Sequence, residues 1–235
     1  MSAKEVRFVG LVGLGAVAVF LVAFLVDPTP PTAGASSNDV LRHIATKSGS
    51  DRTAAFLFAL SGAGLLVLTA GLRQWLSDIS PAPRWWGTAM MAGAILTGGM
   101  LVMVSALWFT LASHDFSGGF TGYVAADQPS AVATTLSDAI NYGFVFAGFG
   151  LLVLIGSATA IMLATYGPLQ QLGWVGFAVT LLQVPYLLTS FYTSGPMQAG
   201  GVITIIGFLG TGLWVTLVSI TLLWFARLAA AAARA

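Results

Sequence analysis

The stretch Leu136–Phe144, LSDAINYGF, sets three polar side chains at the head of an apolar run, VFAGFGLLVL. Asp138, Asn141 and Tyr142 stand at i, i+3 and i+4, the spacing that places side chains on one helix face. A carboxyl flanked by an amide and a phenol suits either the polar lip of a buried helix or the wall of a pocket. In an apolar surround, burial raises a carboxyl pKa, and Asp138 then has the character of a general acid. His114–Asp115 is a second reactive pair, an imidazole base beside a carboxylate, although adjacent residues point different ways on a helix. By ligand type, His114, Asp115 and Asp138 with His43 could hold a metal ion, but no metal-ligand spacing supports that set, and no metal site is expected.

Other chemistries are excluded outright. The chain has two histidines and no cysteine, so a three-histidine zinc site, thiolate ligands, iron–sulfur clusters and cysteine nucleophiles are ruled out. No P-loop, GxSxG, HExxH or dinucleotide fingerprint is present, and no cofactor is expected.

The elements that must position these residues follow from composition. Of 235 residues, 57% are hydrophobic and 7% are charged, against roughly 25% charged in soluble domains. So few charges cannot cover a water-soluble globule, and lipid must be the solvent for most of the surface. The net charge of +1 offers no field for nucleic acid. About 20 apolar residues cross the hydrocarbon as a helix. Six runs are long enough, at 8–26, 54–72, 86–112, 139–165, 174–192 and 202–225. Backbone groups in lipid must be satisfied within their own segment, so the expected fold is all-α, a single bundle domain over 1–235 with six transmembrane helices.

Lys4, Arg7, Arg73, Arg84, Arg227 and Arg234 fall on one side of this topology, and Arg42, Lys47 and Arg52 on the other. The positive-inside rule then puts both termini in the cytoplasm, in a multi-pass protein of a bacterial inner (plasma) membrane. The outer loops are 27–53 and 113–138. The first begins with Pro28, Pro30 and Pro31, and Ser37 or Asn38 can cap a short helix near 39–47 suited to lie on the bilayer surface or over the bundle mouth. The second carries Gly118, Gly119 and Gly122 among Phe116, Phe120 and Tyr123, a composition suited to a flap. Every span carries closely spaced small residues, which let helices approach in lipid and offer faces for a homo-oligomer.

Counting residues back from the inner end of the fourth span places Asp138 at the outer rim, where Arg52 is a candidate partner. The outer end also gathers His114, Asp115, Asn141, Tyr142, Tyr186, Tyr192 and Gln198. Pro185 inside the fifth span bends the helix beside Gln183. The segments NDVLRHIATKSGSDR (38–52), DAINYGFVFAGFGLLVL (138–154) and LGWVGF (172–177) resemble a group of bacterial six-helix membrane proteins of unknown function, which implies the six-helix architecture and no activity.

Three functions remain open. The first is binding or transport of an apolar or amphipathic small molecule through an outward-facing pocket, with Arg52, His114, Asp115, Asn141, Tyr142, Gln183, Tyr186, Tyr192 and Trp108 as ligand contacts. The second is a membrane enzyme acting on a lipid or isoprenoid, terpene-cyclase-like in size and composition, with Asp138 as acid and aromatic faces steadying a cation. The third is a structural partner subunit that packs through its glycine faces.

Overall fold

The computed structural model describes residues 1–27, 31–113, 129–192, 195 and 197–233. Six helices follow one another: α1 (Ala3–Val26), α2 (Ser37–Ile79), α3 (Arg84–Ser113), α4 (Pro129–Leu163), α5 (Pro168–Leu188) and α6 (Val202–Ala232). All six are long and apolar enough to cross a membrane, and no strand occurs among the described residues. The helix starts carry local signals. Ser2 and Glu5 form a capping box, each side chain accepting the other's backbone N–H, which satisfies two of the amides a helix start leaves open. Pro168 opens α5, where a missing N–H costs nothing.

The helices close into a ring. Each packs on its chain neighbours, α6 returns to α1, and α2 also meets α4 across the middle. The N-terminal ammonium lies 3.0 Å from Asp78 at the end of α2, and Lys4 and Arg7 border the same groove as Arg227. Both termini therefore lie at one end of the bundle. Small residues make the crossings possible. A Cβ on Gly93 of α3 would stand 2.5 Å from the Leu154 nitrogen and 2.6 Å from the Gly150 oxygen on α4, so these backbones touch. Beside them, Thr97 Oγ1 donates to the Ala147 carbonyl at 3.2 Å. Likewise Ser61 Oγ donates to the Ala16 carbonyl at 3.0 Å, joining α2 to α1. Such close approach supplies the contact that lipid does not drive by itself. Several of the glycines expected to form outer faces are thus consumed inside the chain, while Gly15 and Gly99 have nothing within 4 Å of a Cβ position.

Three expectations need correction, the first being that α4 begins at Pro129, inside the outer loop expected at 113–138, rather than at 139. In place of a short helix near 39–47 and a separate span from 54, α2 is one helix of 43 residues, capped by Ser36 rather than by Ser37 or Asn38. Within the polar stretch Thr46, Ser50, Arg52 and Thr53 direct side-chain hydrogen bonds to carbonyls three or four residues back, a pattern that tends to bend helices. At about 1.5 Å per residue this helix runs roughly 65 Å, about twice the hydrocarbon thickness. Its apolar part, 54–72, is by itself long enough to span, and the polar stretch 37–53 precedes it. The fifth helix runs 168–188 rather than 174–192, and a single 3-10 turn at Thr189–Phe191 follows it.

Candidate functional site

At the end of the bundle away from the termini, a cavity of about 330 Å³ opens among the end of α1, the first half of α2, the end of α3 and the beginnings of α4 and α6. Its walls are aromatic. Phe58 stacks on Trp108 with ring centroids 5.8 Å apart, and both meet Phe144 edge-on, at 5.3 and 6.0 Å. Phe208 closes the ring against Phe144 at 6.0 Å, and Phe24 stands 5.8 Å from Phe58. Each of these five residues lines the cavity. Beneath Phe208 lies the fully buried Tyr186, 5.3 Å away. Its hydroxyl donates to the Phe144 carbonyl, and its ring fits where Gly148 and Gly207 leave room on α4 and α6.

One end of the cavity is polar. Asp27 caps the end of α1, and it lines the cavity together with His43 and Asp51 of α2. His43 Nε2 stands 3.0 Å from Asp51 Oδ1 and 3.5 Å from Asp27 Oδ2. Asp27 and Asp51 are only 3% and 1% exposed. On a straight helix, His43 and Asp51 would be about 12 Å apart along the axis, more than the two side chains can close. Their contact therefore requires α2 to bend between them, and Ser48–Gly49–Ser50 lies within that interval. The bend swings the first turns of α2 over the mouth and buries Val40 and Ile44 there.

This cluster lies before the apolar stretch of α2 and sets its own protonation. Hydrogen bonds to Asp27 and then Asp51 raise the His43 pKa to about 9, against burial, which lowers it. Burial lifts the Asp51 carboxyl above its usual value; His43 opposes this and Asp27 reinforces it. A like charge beside a buried acid favours the neutral acid, and an imidazolium favours the ion.

A strap, 31–36, crosses the mouth. Asn141 Nδ2 donates to the Pro31 carbonyl at 2.9 Å and to the Ser137 carbonyl at 2.9 Å. Asp138 Oδ1 accepts the Gly34 N–H at 2.9 Å. The Ala33 N–H reaches the Ala199 carbonyl at 3.2 Å, and Gln198 Nε2 donates to Thr32 Oγ1 at 2.6 Å. Gly200 has φ 80°, and a Cβ there would collide with Asn141 Oδ1 at 2.3 Å, so the loop before α6 needs glycine at this point.

The residues singled out by sequence come to lie in different places. Asn141 and Trp108 line the cavity. Asp138 does not line it; its carboxylate holds the strap rather than meeting Arg52, which is exposed and bonded to the Ser48 carbonyl. Tyr142 is half-buried against the core beside it. Gln183 and Tyr186 lie inside the bundle, Gln183 donating from Nε2 to the Gly207 carbonyl and to Thr211 Oγ1, both at 3.2 Å, and Tyr192 is an exposed residue past α5. His114 and Asp115, with the flap expected at 114–130 as far as residue 128, lie outside the described residues. His43, grouped by ligand type with those residues, meets Asp27 and Asp51 instead, because α2 bends. Neither aspartate was singled out by sequence; the Ser-Gly-Ser stretch between His43 and Asp51 was the available signal. Comparison with protein-family models, curated proteins and solved structures finds no match to the chain.

Proposed function

We propose that this protein is a multi-pass membrane protein that binds an amphipathic small molecule in the aromatic cavity, with the apolar body among Phe58, Trp108 and Phe144 and the polar head at the Asp27–His43–Asp51 end. The observation that carries the reading is the cavity itself. At about 330 Å³ it falls within the range of small-molecule sites, which are mostly apolar with a few placed polar groups. Lys4, Arg7, Arg73, Arg84 and Arg227 belong to the end that holds the termini, and Arg42, Lys47 and Arg52 to the cavity end. By the positive-inside rule the cavity faces away from the cytoplasm. Below it, Leu68, Leu151, Leu154, Ile155 and Leu222 are fully buried, so the packing favours a binding site closed beneath over an open path. The strap-bound position of Asp138 removes the observation that favoured it as an acid.

The test is photolabelling of the protein in nanodiscs with a long-chain alkyl diazirine amphiphile. Ile140 lines the cavity and is 7% exposed, so Ile140→Trp fills it. Labelling of peptides containing Phe58, Trp108 and Phe144 is expected in the wild type and at least fivefold weaker in Ile140→Trp. Equal labelling of the two proteins, or labelling confined to lipid-facing side chains such as Phe56, sinks the reading.

A further inference from the structure

We propose that Asp27, His43 and Asp51 form a binding site for a divalent first-row transition-metal cation, of the zinc type, at the polar end of the cavity. This goes beyond the amphiphile reading and stands without it.

Three observations converge. The first is geometry: one ligand atom from each residue lies within 4.8 Å of the others. The His43 Nε2 separations of 3.0 and 3.5 Å from the two carboxylates bracket the edge of a zinc tetrahedron, about 3.3 Å for metal–ligand bonds near 2.0–2.1 Å. A single Nε2–H points along one line, whereas a cation at the centre of the three engages all of them.

The second is charge. Both carboxylates are almost fully buried, and buried charges are paired or coordinate metals. A dication with neutral imidazole and two carboxylates sums to zero. The third is access: all three residues line the cavity, so a three-ligand cation would keep positions open toward it, as metal sites with exchangeable ligands do.

The donor set selects the ion. Imidazole suits zinc and its neighbours, while calcium takes six to eight oxygens in a cage that one histidine and two aspartates do not make. The chain has no cysteine, so soft thiolate chemistry does not compete. The bend in α2 that brings His43 onto Asp51 gives the site its place in the fold, since the ligands come from α1 and from both sides of that bend.

The experiment uses the full chain in nanodiscs, stripped with chelator and returned to chelator-free buffer at pH 7. Zn2+ alone is titrated by competition against a chromophoric chelator, and Co2+ is followed by its visible ligand-field bands. The proposal expects one Zn2+ per chain, a tetrahedral-type Co2+ spectrum that Zn2+ bleaches, and at least tenfold weaker binding in Asp51→Asn and in His43→Gln. Variants are compared only if they elute and melt as folded protein. Should both fail, Asp27→Asn and the wild-type Co2+ spectrum decide. Absence of saturable binding overturns the proposal. So does equal affinity in a folded variant, which would place the cation elsewhere, or displacement of Zn2+ by millimolar Ca2+, which would mark an oxygen-only site.

Discussion

Replacing Asn141 by alanine tests whether the polar face of α4 serves as the clamp for the strap over the cavity mouth. The amide is 7% exposed and donates to two carbonyls, those of Pro31 and Ser137. The Ser137 carbonyl belongs to α4 and keeps its helical environment, so the loss falls on Pro31. Leaving one half-buried carbonyl without its donor costs at most about 1–3 kcal/mol. At about 1.4 kcal/mol per factor of ten, the strap should open up to roughly 5- to 150-fold more often. The readout is hydrogen exchange, under conditions where exchange tracks local opening, of two amides with defined acceptors: Ala33, bonded to the Ala199 carbonyl, and Gly34, bonded to Asp138. Both should exchange faster in Asn141→Ala. In Asp138→Ala the Gly34 amide should respond most, whereas Asp138→Asn, which retains an acceptor oxygen, should respond least. Unchanged exchange at both amides in Asn141→Ala and Asp138→Ala would refute the clamp.

Two further outcomes follow from particular contacts. With any cation removed by chelator, the His43 imidazolium neutralises buried carboxylate. Because its pKa is raised from 6.5 to about 9, that stabilisation is complete below about pH 6.5 and is lost as pH rises through 9. Exchange of the first turns of α2 should accelerate between pH 8 and 10 beyond the intrinsic base catalysis, and His43→Gln should abolish the excess; no excess in the wild type would contradict the assigned contacts. Gly93→Ala should lower the thermal stability of the detergent-solubilised protein by about 1–3 kcal/mol, the range for overpacking, because its Cβ meets α4 backbone. Gly99→Ala, facing open space, should be neutral or stabilising; equal melting of the two would show that the α3–α4 contact is not as close as described.

The six-helix architecture was legible because hydrophobic length is a local property: each run long enough to span became a helix. The shared face of Asp138 and Asn141 was legible too, since i, i+3 spacing fixes direction on any helix. What that face meets was not, because the strap that occupies it lies more than a hundred residues away in sequence. The Asp27–His43–Asp51 cluster was hidden for a related reason. Eight residues on a straight helix are too far apart to touch, and the departure from straightness that joins them goes with burial of Val40 and Ile44 at the mouth, a tertiary contact. Arg52 drew attention as the obvious charge in that region, while its neighbour Asp51 makes the buried contact. Pro185 was expected to bend the fifth span beside Gln183, a candidate ligand contact, yet Gln183 is tied across to α6 and does not line the cavity.

The most direct measurement of the central claim is native mass spectrometry of the protein released from nanodiscs, comparing wild type with Ile140→Trp. A cavity that holds one amphipathic molecule predicts a single discrete non-protein mass on the wild type at high occupancy, lost from the variant while its unfolding temperature is retained. A wild-type spectrum without a discrete adduct when the nanodiscs are loaded with the labelling amphiphile, or the same adduct on both proteins, would contradict it.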